Sequence, residues 1–337
     1  MIRDISKSRN SFSRYARLLL RLHDAISEGR GDSDDADAIR DEMDRAWNML
    51  DAESVGLVNG LSADLYALNG SGDSAQVALP NAHVAQFDRA LFDEAWQRED
   101  WSEALRIIRA NVTSLAADEV ASIRAAFWLY LGEPMVALTF FRYLERLRSE
   151  RMKGQEPLTV DEEGLLLNCL NQLADHDELQ QQALRRADRL AARTDDPIAL
   201  YVAAETWFQY ATNVFAIREE AAHRRAIELG QRCVSACQAA EKTEFAWAQA
   251  TIELHIALSH EALGELEFAQ AACNRALAIA PTDSDALQFY GYLMKYSRLS
   301  GNTPLGTDEQ LRMRTRFRHD LESRDSRLAE YALSKHA

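Results

Sequence analysis

At 337 residues the chain has room for two ordinary domains or one extended array, and 47% hydrophobic with 27% charged residues is a globular profile. A net charge of −15 excludes general attraction to nucleic acid backbones. No stretch of about 18 apolar residues supplies a membrane span. Only 14 Gly and 6 Pro punctuate the chain, and strand-type alternation is scarce, so an all-α fold is expected.

In chain order, residues 12–29 form the first predicted helix, with Phe12, Tyr15, Ala16, Leu19, Leu22 and Ile26 at helical spacing. Residues 29–33, from Gly29 to Ser33, end it. A second helix follows over 33–50, with Ala36, Ile39, Met43, Trp47 and Leu50 as its stripe and Asp residues in its first turn, where the positive helix end favours them. A third carries Val55, Leu57, Val58, Leu61 and Leu65. Residues 1–68 therefore read as a small helical segment. Gly70, Ser71, Gly72, Ser74 and Pro80 mark 69–84 as a linker, where limited proteolysis is expected to cut first and release the remainder as a stable fragment. A helical array is predicted over 85–300. Its middle holds paired helices at 160–173 and 178–194, then at 198–216 and 218–240, with Pro197 at the junction. Beyond Gly301 a charged helix with Leu311, Phe317, Leu321, Leu328 and Tyr331 is expected to cap the array within 301–337.

Within the array one pattern recurs. Residues 250–281 carry Ala257 on a first helix, Gly264 in a turn, then Ala269, Cys273 and Ala276 on a second helix closed by Pro281. Residues 118–150 repeat it with Ala125, Trp128, Gly132, Ala137, Phe141 and Leu144. Residues 85–117 do so with Phe92, Ala95, Ala104 and Ile108, and a fourth first helix starts after Pro281 with Leu287, Tyr290, Gly291 and Met294. This pattern resembles the tetratricopeptide repeat family, whose helix-turn-helix unit cannot bury its apolar face alone and must stack on neighbours. The resemblance implies a right-handed superhelical solenoid and a protein- or peptide-binding scaffold without a cofactor. It also places Trp96, Leu129, Tyr130, Phe289, Tyr292 and Tyr296 on the concave face as partner-binding residues. At the places where some members clamp a terminal carboxylate, Leu254, Leu258 and Glu261 stand instead, so that ligand is not expected.

The remaining constellations read as structural. Cys233 and Cys237 share a helix face but lack two further ligands for zinc. The Asp175-His176-Asp177 run has no Walker loop, nucleophile elbow or His-Glu-x-x-His beside it and reads as a polar turn. The Asp residues from Asp32 to Asp37 lack the glycine and glutamate of a calcium loop. Arg312, Arg314, Arg316 and Arg318 form two basic faces flanked by acids. No catalytic residue or metal site is expected. Cys169, Cys233, Cys237 and Cys273 form no CxxC pair, which predicts free thiols and a cytoplasmic setting. Leu18-Leu19-Leu20 is too short for a secretory h-region. The expected partner is a neutral or basic protein segment; the alternative is a peptide-responsive regulator with the N-terminal helices as its output.

Overall fold

The computed structural model describes residues 5–68, 88–98, 100–110, 115–151, 156–173, 177–212, 220–240, 245–283, 285, 286 and 290. Among them are thirteen α-helices and no strand, which agrees with the all-α expectation. The linker at 69–84, the capping helix within 301–337 and most of the fourth repeat lie outside the described residues. Contacts divide the chain into two compact units, Met1–Gln182 and Ala183–Ala337.

The first unit contains α1 (Ile5–Ser27), α2 (Asp34–Trp47), α3 (Ala52–Leu68), α4 (Arg89–Gln97), α5 (Trp101–Ala110), α6 (Ala117–Tyr130), α7 (Pro134–Arg151) and α8 (Val160–Asn171). The first helix starts seven residues before the expected Phe12, because the early polar residues continue the helix below the apolar stripe. Ser33 caps α2 by accepting from the Ala36 amide, and Asp34, Asp35 and Asp37 fill its first turn, so the Asp-rich run is a helix start.

Helices α4/α5 and α6/α7 are the expected hairpins, and α6 and α7 both pack on α8. The turn inside α6/α7 is set by Gly132, whose φ of 78° is a conformation that a side chain disfavours. Its amide donates to the Leu129 carbonyl at 2.9 Å, and the Glu133 amide donates to Trp128 at 2.9 Å, which closes the helix with a Schellman motif. Ala104 and Ala137 are fully buried at their hairpin crossings. The core around them contains Phe127, Trp128, Phe140, Phe141, Leu144 and Leu166, all without solvent exposure.

The expected separation of residues 1–68 is not what the contacts show. Helix α1 packs on α7 and α3 packs on α5. Phe12 stacks on Trp128 with centroids 6.1 Å apart, and Ser13 donates to Glu133. Asp64, 1% exposed, lies 2.6 Å from the Arg124 guanidinium and 3.8 Å from that of Arg109. Burial pushes the Asp64 carboxyl up, and the two arginine charges pull it back. Helices α1 and α3 cover apolar and charged groups of the hairpins and α2 packs on α1, so the three belong to the same body.

The division between units falls within α9 (Asp177–Arg193). The second unit continues with α10 (Pro197–Thr212), α11 (Glu220–Ala239), α12 (Ala246–Ala262) and α13 (Leu266–Ile279). Each of these packs on the next, and α10 also packs on α12. The turn between α12 and α13 repeats the α6/α7 turn atom for atom. Gly264 has φ 78°, its amide donates to Glu261 at 2.9 Å, and the Glu265 amide donates to His260 at 2.9 Å. Ala257, Ala269 and Cys273 are fully buried. A Cβ on Gly230 would stand 2.9 Å from the Ile256 side chain, so α11 and α12 approach through that glycine. Replacing Ala269 with Leu is expected to overpack the α12/α13 crossing and to lower stability by about 1–3 kcal/mol, read from the urea midpoint at unchanged slope. A variant as stable as the parent would show that the crossing has slack.

Candidate functional site

Two of the exposed aromatic residues, Tyr130 and Trp247, stand on first helices of hairpins, whereas Trp47 stands on α2 and Phe268, 63% exposed and stacked on His260, stands on the second helix α13. In the first unit Trp96 of α4 meets Tyr130 of α6 edge-on, with centroids 5.3 Å apart and planes at 87°. Trp96 also lies 6.2 Å from Phe127 and 5.4 Å from Phe92, which seats it half-buried. Tyr130 is 57% exposed. Leu129, expected on the same open face, is buried in the core. Adjacent helical residues point about 100° apart, so Tyr130 and Leu129 cannot share a face. Phe289, Tyr292 and Tyr296 lie outside the described residues.

The second unit repeats the arrangement with residues that the repeat pattern did not single out. Tyr201 of α10 meets Trp247 of α12 with centroids 5.1 Å apart, and Trp247 is 56% exposed. Further along the same pair of helices, Phe208 stacks on His255 at 4.0 Å with planes 8° apart. The Nδ1 atom of His255 lies 2.8 Å from Glu205 Oε2, and Gln209 Nε2 donates to Glu205 Oε1 at 2.7 Å. Tyr201 and Phe208 pair with partners 46 and 47 positions later, so α10 and α12 run parallel. These helices are the first members of successive hairpins.

The charges of this face are few. Burial works to raise the Glu205 carboxyl, but the His255 interaction and the Gln209 hydrogen bond hold it below the usual range. Burial, with the charges of Glu205 and Cys233, pushes the Tyr201 hydroxyl up to about 12. Beside the face, Asp188 accepts from Trp207 Nε1 at 3.1 Å and pairs with Arg225 at 2.9 Å.

All four cysteines are free and buried. Burial pushes Cys169 up to about 12 and Cys273 up to about 11, and it raises Cys233 and Cys237 as well. Such thiols pack as small apolar side chains. Among the described residues no group of three or more His, Cys, Asp or Glu side chains is placed to hold a metal ion. No described helix is long and apolar enough to cross a membrane.

No family model matches the chain, and no curated protein shows significant similarity to it.

Proposed function

We propose that the chain is a non-catalytic protein- or peptide-binding scaffold, each unit being a stretch of right-handed, tetratricopeptide-like solenoid, and that each unit binds through the face made by the first helices of its own hairpins. The carrying observation is the recurrence of one device. Trp96–Tyr130 and Tyr201–Trp247 each join two such helices through an edge-on aromatic contact, and each leaves one ring more than half exposed. Aromatic side chains presented on rigid helices provide large contact area at low entropic cost, as binding hot spots do. The duplicated glycine turns at Gly132 and Gly264 support the repeat reading. The packing of α1 on α7 and α3 on α5 supports treating the N-terminal helices as scaffold and not as a separate output. Free, buried thiols fit a reducing compartment such as the cytoplasm. The acidic chain favours a partner segment that is neutral or basic.

The test is selection from a random peptide library displayed on phage, followed by titration of the enriched synthetic peptides. The double variant Tyr130→Ala, Trp247→Ala removes two exposed rings and is expected to retain its helical signal. It should bind the enriched peptides more weakly by about 2 kcal/mol or more. Failure of any peptide to enrich, or undiminished affinity in the folded double variant, would refute the proposed face.

A further inference from the structure

Helix α12 meets α10 at a contact whose charge depends on one imidazole. His255 Nδ1 lies 2.8 Å from Glu205 Oε2. Both atoms are buried, and neither makes a well-directed hydrogen bond to any described group, so the contact rests on opposite charge and not on an aligned donor. Gln209 Nε2 occupies the other Glu205 oxygen at 2.7 Å, and Phe208 stacks on the imidazole at 4.0 Å, which holds the ring against α10. Neither α10 nor α12 contains a lysine or arginine. The cation opposite Glu205 is therefore present only while His255 is protonated.

Helix α12 packs on α10, α11 and α13, and the other titratable groups of these helices do not take the place of His255. On α10 they are Tyr201 and Tyr210, phenols of a kind that stays uncharged below about pH 9. The arginines of α11 are committed: Arg225 to Asp188 and Glu228, Arg232 to Asp195, and Arg224 to Glu220 and Glu265. The remaining His223, Cys233 and Cys237 of α11 are buried. Arg275 of α13 holds the buried Glu253 of α12 at 2.8 and 2.9 Å, Glu261 of α12 is buried, and Glu267 of α13 is exposed. The second imidazole of α12 supplies an internal contrast. His260 Nδ1 lies 2.7 Å from Glu265 Oε2 and its ring stacks on Phe268, but Arg224 stands 2.6 Å from the same carboxylate. An arginine keeps its charge at every pH of interest, so Glu265 stays matched when His260 is neutral and Glu205 does not when His255 is.

We propose that His255 and Glu205 form a pH-sensitive clasp, which ties α10 to α12 while the imidazole is charged and relaxes when it is neutral. Imidazoles change charge between about pH 5 and 8. A histidine whose charged form gains a carboxylate stabilises the fold below its unfolded pKa, about 6.5, and that contribution is lost as pH rises. Glu205 sets the lower limit. Burial works to raise its carboxyl, but the His255 charge and the Gln209 hydrogen bond hold it below the usual range, so it remains ionised while the imidazole titrates. Above neutrality the Glu205 Oε2 atom is left buried against an uncharged ring, which is unfavourable. The clasp joins the helices that carry Tyr201 and Trp247, so its opening loosens the proposed binding face; that consequence alone rests on the scaffold reading.

Amide hydrogen exchange of the full chain, read by mass spectrometry at about pH 5.5 and about pH 7.5 and corrected for the intrinsic rate at each, tests the clasp. Protection of the α10 and α12 amides is expected to be at least about threefold higher at the lower pH. In Glu205→Gln, and separately in His255→Gln, that ratio should fall close to one; the first variant keeps an acceptor for Gln209, and the second keeps Glu205. His223 is present in all these proteins and cancels in the comparison. Glu265→Gln should leave the ratio as in the parent, because His260 is not the sensor. Equal corrected protection at the two pH values in the parent, or a ratio unchanged in both Glu205→Gln and His255→Gln, would overturn the clasp. A ratio abolished by Glu265→Gln and retained in Glu205→Gln would overturn it too, by moving the sensor to His260. The measurement uses no partner, so its failure leaves the scaffold reading standing, and failure of peptide enrichment leaves the clasp standing.

Discussion

A chain that begins at residue 85 is expected to fail to form a stable first unit. In the intact protein Phe12 lies flat on Trp128, which is fully buried, and α1 packs on α7. Removing residues 1–68 uncovers that face of the core. It also deletes Asp64, the partner 2.6 Å from Arg124, whose side chain is 8% exposed. A guanidinium cannot neutralise itself by losing its proton, and a buried charge stripped of its partner costs about 3–5 kcal/mol. With the uncovered aromatic surface added, the loss is comparable to the whole stability of a domain, about 5–15 kcal/mol. The truncated protein should lose near-ultraviolet dichroism, bind a hydrophobic dye, and show fast amide exchange in α4–α7 with α10–α13 still protected. A milder cut supports the same argument: Asp64→Ala in the full chain should lower the urea midpoint of the first unit. Cooperative unfolding of the 85–337 fragment at the parent's midpoint would show that the N-terminal helices merely lean on the hairpins.

This differs from the expectation that the array is released intact at the 69–84 segment, and the reason is physical. Local pattern reveals what a few adjacent residues determine. Gly132 and Gly264 need positive φ, Ala137 and Ala269 need a close crossing, and these are legible as a glycine and a small residue at fixed spacing. The Asp64–Arg124 and Phe12–Trp128 contacts join residues 60 and 116 positions apart, and nothing in helical periodicity announces them. The same limit applies to the candidate site. Tyr130 and Leu129 are neighbours in sequence, yet one is exposed and the other buried, because assignment to a face turns on a single position. Helix α10 is apolar nearly all round, so no stripe separates its open side from its packed side. Its register to α12 is about 46 residues, longer than the repeat length that drew attention to the hairpins. One signal was present: a single acid, Glu205, in an otherwise uncharged helix that also holds Tyr201, Trp207, Phe208 and Tyr210.

Replacing Arg148 with Met is expected to destabilise the first unit by about 2–4 kcal/mol at pH 7, with a deficit that shrinks on acidification. Arg148 projects from α7 and binds the starts of two other helices. Its Nε donates to Asp118 in the first turn of α6 at 3.0 Å, and its Nη1 donates to the Pro157 carbonyl at 3.2 Å. Both oxygens of Glu162, in the first turn of α8, accept from it, one of them at 3.1 Å from Nη2. Glu162 also accepts from the Thr159 amide at 2.9 Å and from Ser122 of α6 at 2.7 Å, so a single guanidinium organises a capping box and the junction of three helices. The Arg148, Asp118 and Glu162 side chains are 15%, 20% and 10% exposed, which leaves little water to replace the lost partner. Burial alone would raise the Glu162 carboxyl, but Arg148, Ser122 and the Thr159 amide hold it below its ordinary value. Asp118 is held low first by Arg151 and then by Arg148. A carboxylate whose folded pKa is depressed contributes stability above its unfolded pKa, near 4, and that contribution fades as pH falls through the folded value. The parent should therefore lose stability between about pH 5 and pH 3. In Arg148→Met the buried Glu162 carboxylate loses its main counter-charge, so protonation relieves the variant while it weakens the parent, and the two urea midpoints should converge toward pH 4. A deficit of equal size at pH 7 and pH 4 would mean that Arg148 acts through the packing of its methylene stem and not through its charge.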